Sequence, residues 1–317
     1  MESDGAGRRV LVLNPVSGSE DHVDDTIELA ADHDFEIRKT EEAGDARRLA
    51  REAAPDADLV AAAGGDGTVN EVVNGIATAE ALDTTALAVV PAGTGNNLAS
   101  NIGVESIEHS FAVIEDGRRR TIDLGLANDR WFVNSCVGGV TAEASSETSS
   151  DGKREFGVLA YVMNTLETVR SFDSLPLRVT TVEGPDGEAA KAWEGKAVFV
   201  LVGNCRRFTG ARTAQANVED GLFEVTIVEE AGTVDLLGEA ALEGLFGRDS
   251  THIVRRRAPS LTVESLRDSV QYSLDGEMLS TETLHLETNA RGLDVLVGDS
   301  YRPNPDEDDR WPFNAQR

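Results

Sequence analysis

Apolar and polar positions follow two different rhythms along this chain. Over roughly the first 125 residues, short apolar runs alternate with stretches of helical spacing. Residues 10–13, 35–39, 59–63 and 86–90 read as strands, the last ended by Pro91. A helical pattern follows the first strand through residue 31, and residues 45–54 form an Ala- and Arg-rich helix with Pro55 as its stop. Val69, Val72, Val73 and Ile76 recur at i, i+3, i+4 and i+7, one face of a further helix with Gly75 near its end. Strands alternating with helices predict a largely parallel sheet covered on both faces.

Beyond about residue 120 the period shortens to two. Residues 121–127 and 131–137 read as neighbouring strands joined at Asn128-Asp129. Phe223, Val225 and Ile227 alternate with Glu224 and Thr226, and Leu284 and Leu286 with His285 and Glu287. Residues 198–202 are apolar on both faces, as a central strand is. Helical patterns over 156–172 and 234–246 interrupt the strands, and 143–152 and 183–189 read as linkers. The fold class is therefore α/β: an N-terminal three-layer parallel-sheet domain over residues 1–125, then a mostly β-sandwich C-terminal domain over 126–297. The tail, 298–317, is expected to return to the first domain, with a loose acidic end.

Composition narrows the function. The chain has 317 residues, 40% of them hydrophobic, enough for a core and too many for a disordered chain. Its net charge of −28 excludes a nucleic-acid binder, which needs a basic face, and docking on anionic lipid by a polybasic patch. Only Lys39, Lys153, Lys191 and Lys196 stand among 29 basic residues, and acids are spread along the whole length. That pattern fits salt adaptation better than an ordinary acidic protein, since dense like charge repels itself until salt screens it. Cys136 and Cys205 lie in apolar contexts and read as reduced core thiols. The five histidines show no metal-ligand spacing. No stretch is long enough to span a bilayer and the start does not read as a signal peptide, so a cytoplasmic location is expected, with any lipid met from the soluble side.

Three loops carry chemistry. Gly64-Gly65-Asp66-Gly67-Thr68 follows a buried strand and opens a helix. Glycines admit close approach of the backbone to phosphate oxygens, the helix N-terminus favours an anion, and Asp66 can hold magnesium. The same turn can also be plain geometry. Asn14-Pro15-Val16-Ser17-Gly18 ends the first strand and Pro91-Ala92-Gly93-Thr94-Gly95-Asn96-Asn97 the fourth. All three thus lie at the carboxyl edge of a parallel sheet, where open α/β sheets bind ligands, and together they point to a nucleotide-binding domain. Asp275-Gly276 is by itself a strong hairpin-turn signal. Arg118 to Arg120 and Arg255 to Arg257 read as solvated faces paired with local acids.

The phrases NPVSG, GGDGTVNEVVNG and PAGTGNNLA, followed by NSCVGG, GNCRRFTGA, EDGLFEV and LDGE, resemble the diacylglycerol kinase catalytic domain, in the branch of bacterial lipid kinases and sphingosine kinases. The similarity runs from about residue 9 to 297. It implies an ATP- and magnesium-dependent kinase whose partner is a lipid alcohol, with transient membrane contact and a homodimer. It implies that Asn14, Pro15, Ser17 and Gly18, then Thr40, then Gly64, Gly65, Asp66, Gly67, Thr68, Asn70 and Glu71, and last Gly93, Thr94 and Asn96 contact ATP. Asp66 would organise the catalytic magnesium, with Asp123 in the carboxylate network, and Glu277 would be the general base. Asp220, with backbone carbonyls near Asn217 and Leu222, matches a structural magnesium site.

This chain departs from the pattern in places. Asn97 stands where the family often has Asp, which removes one metal ligand. Gln215 replaces a usual proline, and Arg206 to Gly210 a glycine-richer stretch. Two rivals remain: a kinase of a soluble acceptor like the NAD kinases, which share the Gly-Gly-Asp-Gly-Thr loop, and a regulator that binds nucleotide or lipid without catalysis.

Overall fold

An apolar run with no polar face is stable only where both sides of its strand are covered. β1 (Arg9–Leu13), β3 (Leu59–Gly64) and β4 (Ala86–Pro91) satisfy this, with Val10 to Leu13, Val60 to Ala63 and Leu87 to Val90 buried. The structure, a computed structural model, describes residues 7–18, 22–139, 174–184, 190–205, 216–230 and 252–303. β2 (Phe35–Lys39) is the edge strand, and the order β4-β3-β1-β2 is parallel throughout. Leu13 lies opposite both Ala63 and Lys39, and Gly64 opposite Pro91. The strands therefore end in line, and the loops that follow them share one edge.

α1 (Val23–Asp32), α2 (Asp45–Ala53), α3 (Asp66–Thr78), α4 (Asn97–Asn101) and α5 (Ile107–Asp116) complete this unit. The stripe Val69, Val72, Val73 and Ile76 is buried on α3. Gly75 lets α2 and α3 touch backbone to backbone, because a Cβ there would run into Arg47 O and come within 2.7 Å of the Ala50 Cβ. Pro55 lies just beyond α2, which ends at Ala53. It sits in a single 3-10 turn over Ala54–Asp56, where a missing N–H costs nothing.

The chain divides into two compact units: residues 1–124 with 290–302, and residues 125–289 with 303–317. β5 (Arg119–Ala127) and β15 (Thr283–Leu296) each run from one unit into the other. The return to the first unit begins at Ala290, ahead of the expected residue 298. Val295 pairs in parallel with Leu87, Thr121 Oγ1 donates to Asp294 Oδ1 at 2.7 Å, and Gly298 N donates to Ile102 O at 2.9 Å.

The second unit is antiparallel. β9 (Lys191–Gly203) is its centre, pairing with β7 (Ser135–Gly138), β8 (Leu175–Thr181) and β10 (Phe223–Glu229). β11 (Ile253–Ala258) extends the sheet beyond β10, β12 (Ser260–Ser265) pairs with β8 and β15, and β13 (Val270–Leu274) and β14 (Glu277–Thr281) form a hairpin beside β7. Its core includes Phe132, Phe223, Val225, Ile227, Leu284 and Leu286. The strand expected over 131–137 is two: β6 (Arg130–Phe132) ends, and β7 starts three residues later. The Asp275 carboxylate accepts the amides of Val133 at 2.6 Å, Asn134 at 2.9 Å and Ser135 at 2.8 Å, which takes them away from a continuous ladder.

Cys136 and Cys205 are buried and free, and burial, aided by the Asp275 carboxylate, pushes the Cys136 thiol up and out of the reactive range. No helix among the described residues is long and apolar enough to cross a membrane. The helices expected over 156–172 and 234–246, the linker 143–152, most of 183–189, the stretch 206–210, Gln215 and the tail beyond residue 303 lie outside the described residues.

α2 opens at Gly44, which has no side chain to cap it, and Asp45 secures the approach. Its Oδ2 accepts the amides of Glu41 at 2.9 Å and Glu42 at 3.1 Å, and its Oδ1 pairs with Arg48 Nη2 at 2.7 Å. The Glu41 amide foremost, then Arg48 and the Glu42 amide, hold the Asp45 carboxyl down to about 2. An unfolded Asp titrates near pH ~3.9, so this stabilisation is complete above that value and disappears as pH falls through the folded one. Asp45→Asn should lower the melting temperature at neutral pH. The gap to wild type should narrow as pH falls from ~4 toward ~2 in circular-dichroism melts; a gap independent of pH would contradict this.

Candidate active site

The turn into α3 is built around atoms that are not there. A Cβ on Gly64 would collide with Thr68 Oγ1, and one on Gly93 would collide with the Gly65 Cα. The backbones after β3 and β4 are thus pressed together at two glycines. Gly18, at φ 60°, belongs to the same contact, since a Cβ there would lie 2.5 Å from Ala92 O. Asn14 ties the first loop in: its backbone N donates to Ala63 O at 2.9 Å, its Oδ1 accepts Val16 N at 3.2 Å, and its Nδ2 donates to Thr68 Oγ1 at 3.1 Å. Asn14, Pro15, Ser17 and Gly18 therefore stand beside Gly64, Gly65 and Thr68, as their shared sheet edge required.

Gly67 is different. Among the described residues nothing lies within 4 Å of a Cβ placed there, and the residue is exposed. Protein packing does not explain this glycine. It lies in the first turn of α3, where the amides of Asp66, Gly67 and Thr68 have no helical carbonyl to bond and the helix dipole adds positive potential. A helix end of this kind favours an anion.

Asp66 is the first residue of α3. Its Oδ2 accepts Asn97 N at 3.0 Å and Asn97 Nδ2 at 3.1 Å, and its Oδ1 accepts Leu98 N at 3.1 Å. Three of about four lone-pair positions are taken, which leaves one on Oδ1 for a cation or a water. A carboxylate at position 97 would face Asp66 at this distance and need a cation between them. The Asn97 amide removes that need and fixes Asp66 by donating to it.

The remaining expected nucleotide residues separate into two groups. Thr40 follows β2 on the loop edge, its N donating to Leu13 O at 2.9 Å, and Thr94 is exposed at the tip of the third loop. Asn96, left-handed at φ 44°, grips Gly93 by accepting its N–H at 3.1 Å and donating to its carbonyl at 2.7 Å. Gly93 and Asn96 thus shape the loop, and the Gly93 amide is already bonded. Asn70 and Glu71 turn to protein. Asn70 is buried and accepts Asn74 Nδ2 at 3.0 Å. The Glu71 carboxylate accepts the amides of Gly44 at 3.3 Å and Arg47 at 3.4 Å, capping α2. Asp123 is fully buried and accepts Arg291 N at 2.7 Å, holding the left-handed bend at Arg291.

In the second unit, Asp275 and Gly276 form the β13–β14 turn, at φ 49° and 101°. Glu277, half-buried, opens β14. Asp275 fastens this turn to the bend at Val133–Ser135, and its own N donates to Ser135 O at 3.0 Å. The turn signal and the motif are therefore one feature: the hairpin is what presents Glu277. Asp220 Oδ1 accepts Leu222 N at 3.0 Å, its Oδ2 pairs with Arg257 Nη2 at 2.5 Å, and Asn217 Oδ1 accepts Glu219 N at 2.9 Å.

Residues 8–127 match the diacylglycerol kinase catalytic domain, and residues 134–297 the YegS C-terminal NAD kinase beta sandwich-like domain. A diacylglycerol kinase of Bacillus subtilis is 33% identical over 295 residues, 88% of this chain and 93% of that protein. The chain belongs to the diacylglycerol kinase catalytic domain family. The sandwich-like match places the antiparallel second unit in the same scheme. A protein of Bacillus anthracis str. Sterne assigned as a diacylglycerol kinase has a solved structure that superposes with a TM-score of 0.79 at 26% identity, covering 95% of this chain and 99% of that one. An NAD kinase of Archaeoglobus fulgidus, solved with ATP, shares the fold at a TM-score of 0.51 and 11% identity, over 92% and 94% of the two chains.

Within this family member, two groups had escaped sequence reasoning. The double donation of Asn97 to Asp66 was visible only as a missing carboxylate. The clamp by Asp275 had no local signal, because its partners lie some 140 residues away. Two glycines now separate structure from ligand. Gly93→Ala should lower the melting temperature, because the Gly65 backbone must move. Gly67→Ala should leave it unchanged or raise it, as Ala is the better helix former by up to about 1 kcal/mol. It should weaken nucleoside triphosphate binding by about tenfold or more in calorimetric titration, equivalent to about 1.4 kcal/mol. Full affinity in Gly67→Ala would contradict the phosphate reading.

Proposed function

We propose that this chain is an ATP-dependent lipid kinase that transfers the γ-phosphoryl group to a hydroxyl of a glycerolipid-like alcohol. The observation that carries the reading is the α3 turn: a close-packed Gly65–Gly93 contact beneath an open Gly67, with Asp66 fixed at the helix N-terminus. Family membership and relatives named diacylglycerol kinases support it.

Phosphoryl transfer asks for little covalent chemistry and much positioning of charge. The α3 amides and dipole bind the phosphates, and Asn14 holds the first loop against Thr68. Asn97 and Leu98 orient Asp66, whose remaining lone pair fits a hard cation through oxygen. Magnesium there would neutralise charge on the transferred group. Glu277 receives the proton of the acceptor hydroxyl, which leaves the attacking oxygen an alkoxide-like nucleophile as the P–O bond to ADP breaks. Asp123, buried against Arg291, serves as a positioning residue. Salt adaptation makes an ether-linked glycerolipid a suitable acceptor, with a sphingoid alcohol as the other candidate. Action on such a lipid entails transient contact with the cytoplasmic face of a membrane.

The test follows label from γ-phosphate of ATP, at high KCl with magnesium, into a total lipid extract in one arm and into NAD in another. Wild type should label the organic phase. Asp66→Asn and Glu277→Gln, each verified as folded by circular dichroism, should lose about 100-fold or more. Label on NAD would move the protein to a soluble acceptor. No label in either arm, from folded protein that binds ATP, would overturn the kinase reading in favour of a binding regulator.

A further inference from the structure

The loop before β10 carries Asp220, and β10 opens with Glu224 one residue in. Across the β10–β11 ladder, Arg257 stands directly opposite Glu224. Its Nη2 reaches Asp220 Oδ2 at 2.5 Å and its Nε reaches Glu224 Oε1 at 3.1 Å, so one guanidinium joins two carboxylates. The planar fork suits that geometry, and opposite charges paired across a ladder stabilise it. Arg255 lies two residues along, on the same face. Burial holds its guanidinium below the ordinary value, and Glu224 acts in the opposite sense. Asp220 and Glu224 thus already have two cations around them.

That arrangement disagrees with the structural magnesium that the family resemblance assigns to the Asp220 carboxylate and the backbone carbonyls near Asn217 and Leu222. Magnesium demands an octahedron of oxygens at about 2.0–2.1 Å, and draws on anionic charge that nothing else has neutralised. Here the one side-chain ligand of that set, Asp220, has its Oδ2 on Arg257 and its Oδ1 on the Leu222 N–H. A divalent ion against Asp220 would lie beside a guanidinium and be repelled by it.

We infer that Arg257 is a built-in cation that replaces the structural magnesium at Asp220, fastening the 217–222 loop to β11 without a metal. An arginine stays charged at every working pH and cannot dissociate from the chain. The Arg255–Arg257 run, set on an acidic protein, thereby has a defined task at one of its members.

The test is thermal unfolding of the nucleotide-free full chain, in KCl of constant ionic strength, with millimolar magnesium or with chelator. The quantity read is the part of the magnesium-dependent shift that Asp220→Asn removes. A structural metal present at about 100 times its dissociation constant would supply a shift of about 5 °C or more. The inference predicts that Asp220→Asn removes none of it. It also predicts that Arg257→Gln melts lower and gains a magnesium-dependent rise, as Asp220 and Glu224 lose the guanidinium that joins them. A wild-type shift that Asp220→Asn abolishes would overturn the inference, and so would a folded Arg257→Gln that gains no magnesium response. Should Arg257→Gln fail to fold, the comparison of wild type with Asp220→Asn decides alone.

Discussion

Two peptide backbones meet where Gly65 and Gly93 touch, and the first unit is arranged around that contact. Any side chain at position 93 would enter the space of the Gly65 Cα. The contact exists because β3 and β4 are parallel neighbours that end together, Gly64 opposite Pro91. It brings the third loop under the α3 N-terminus, so that Asn97 and Leu98 can donate to Asp66. Asn96 keeps the loop in shape by bonding both backbone groups of Gly93. Remove the contact and the helix still has a positive end, but nothing fixes the carboxylate beside it.

Carboxylates in this protein do different work, and their partners say which. Glu71 caps α2, Asp45 secures its approach, Asp123 holds a bend and Asp275 holds a turn, each through backbone amides. These are structural anions, satisfied by the chain itself. Asp66 is also held by amides but keeps a lone pair beside an open helix end. In a protein of net charge −28, burying acids against N–H donors or arginines is how charge is kept without self-repulsion in the interior. The same logic puts Arg257 between Asp220 and Glu224.

What was legible in the chain is what local pattern decides. β1, β3 and β4 are apolar on both faces because both faces are covered, and α3 shows its buried stripe at helical spacing. Strand ends, and hence the edge carrying the three loops, follow from those elements. Illegible features depend on distant partners. The break between β6 and β7 is set by Asp275, and the inward turn of Glu71 by Gly44 and Arg47. The motif carries no record of which way a helical side chain faces, so the bonds of Asn70 and Glu71 to the protein were not legible in it.

The central claim is that the α3 turn is where phosphate binds. A crystal structure with a non-hydrolysable ATP analogue tests it most directly. The account predicts phosphate oxygens on the amides of Asp66, Gly67 and Thr68, lying over the open side of Gly67, with Asp66 still bonded to Asn97 and Leu98. Phosphates bound away from this turn, with Gly67 left facing solvent, would contradict it.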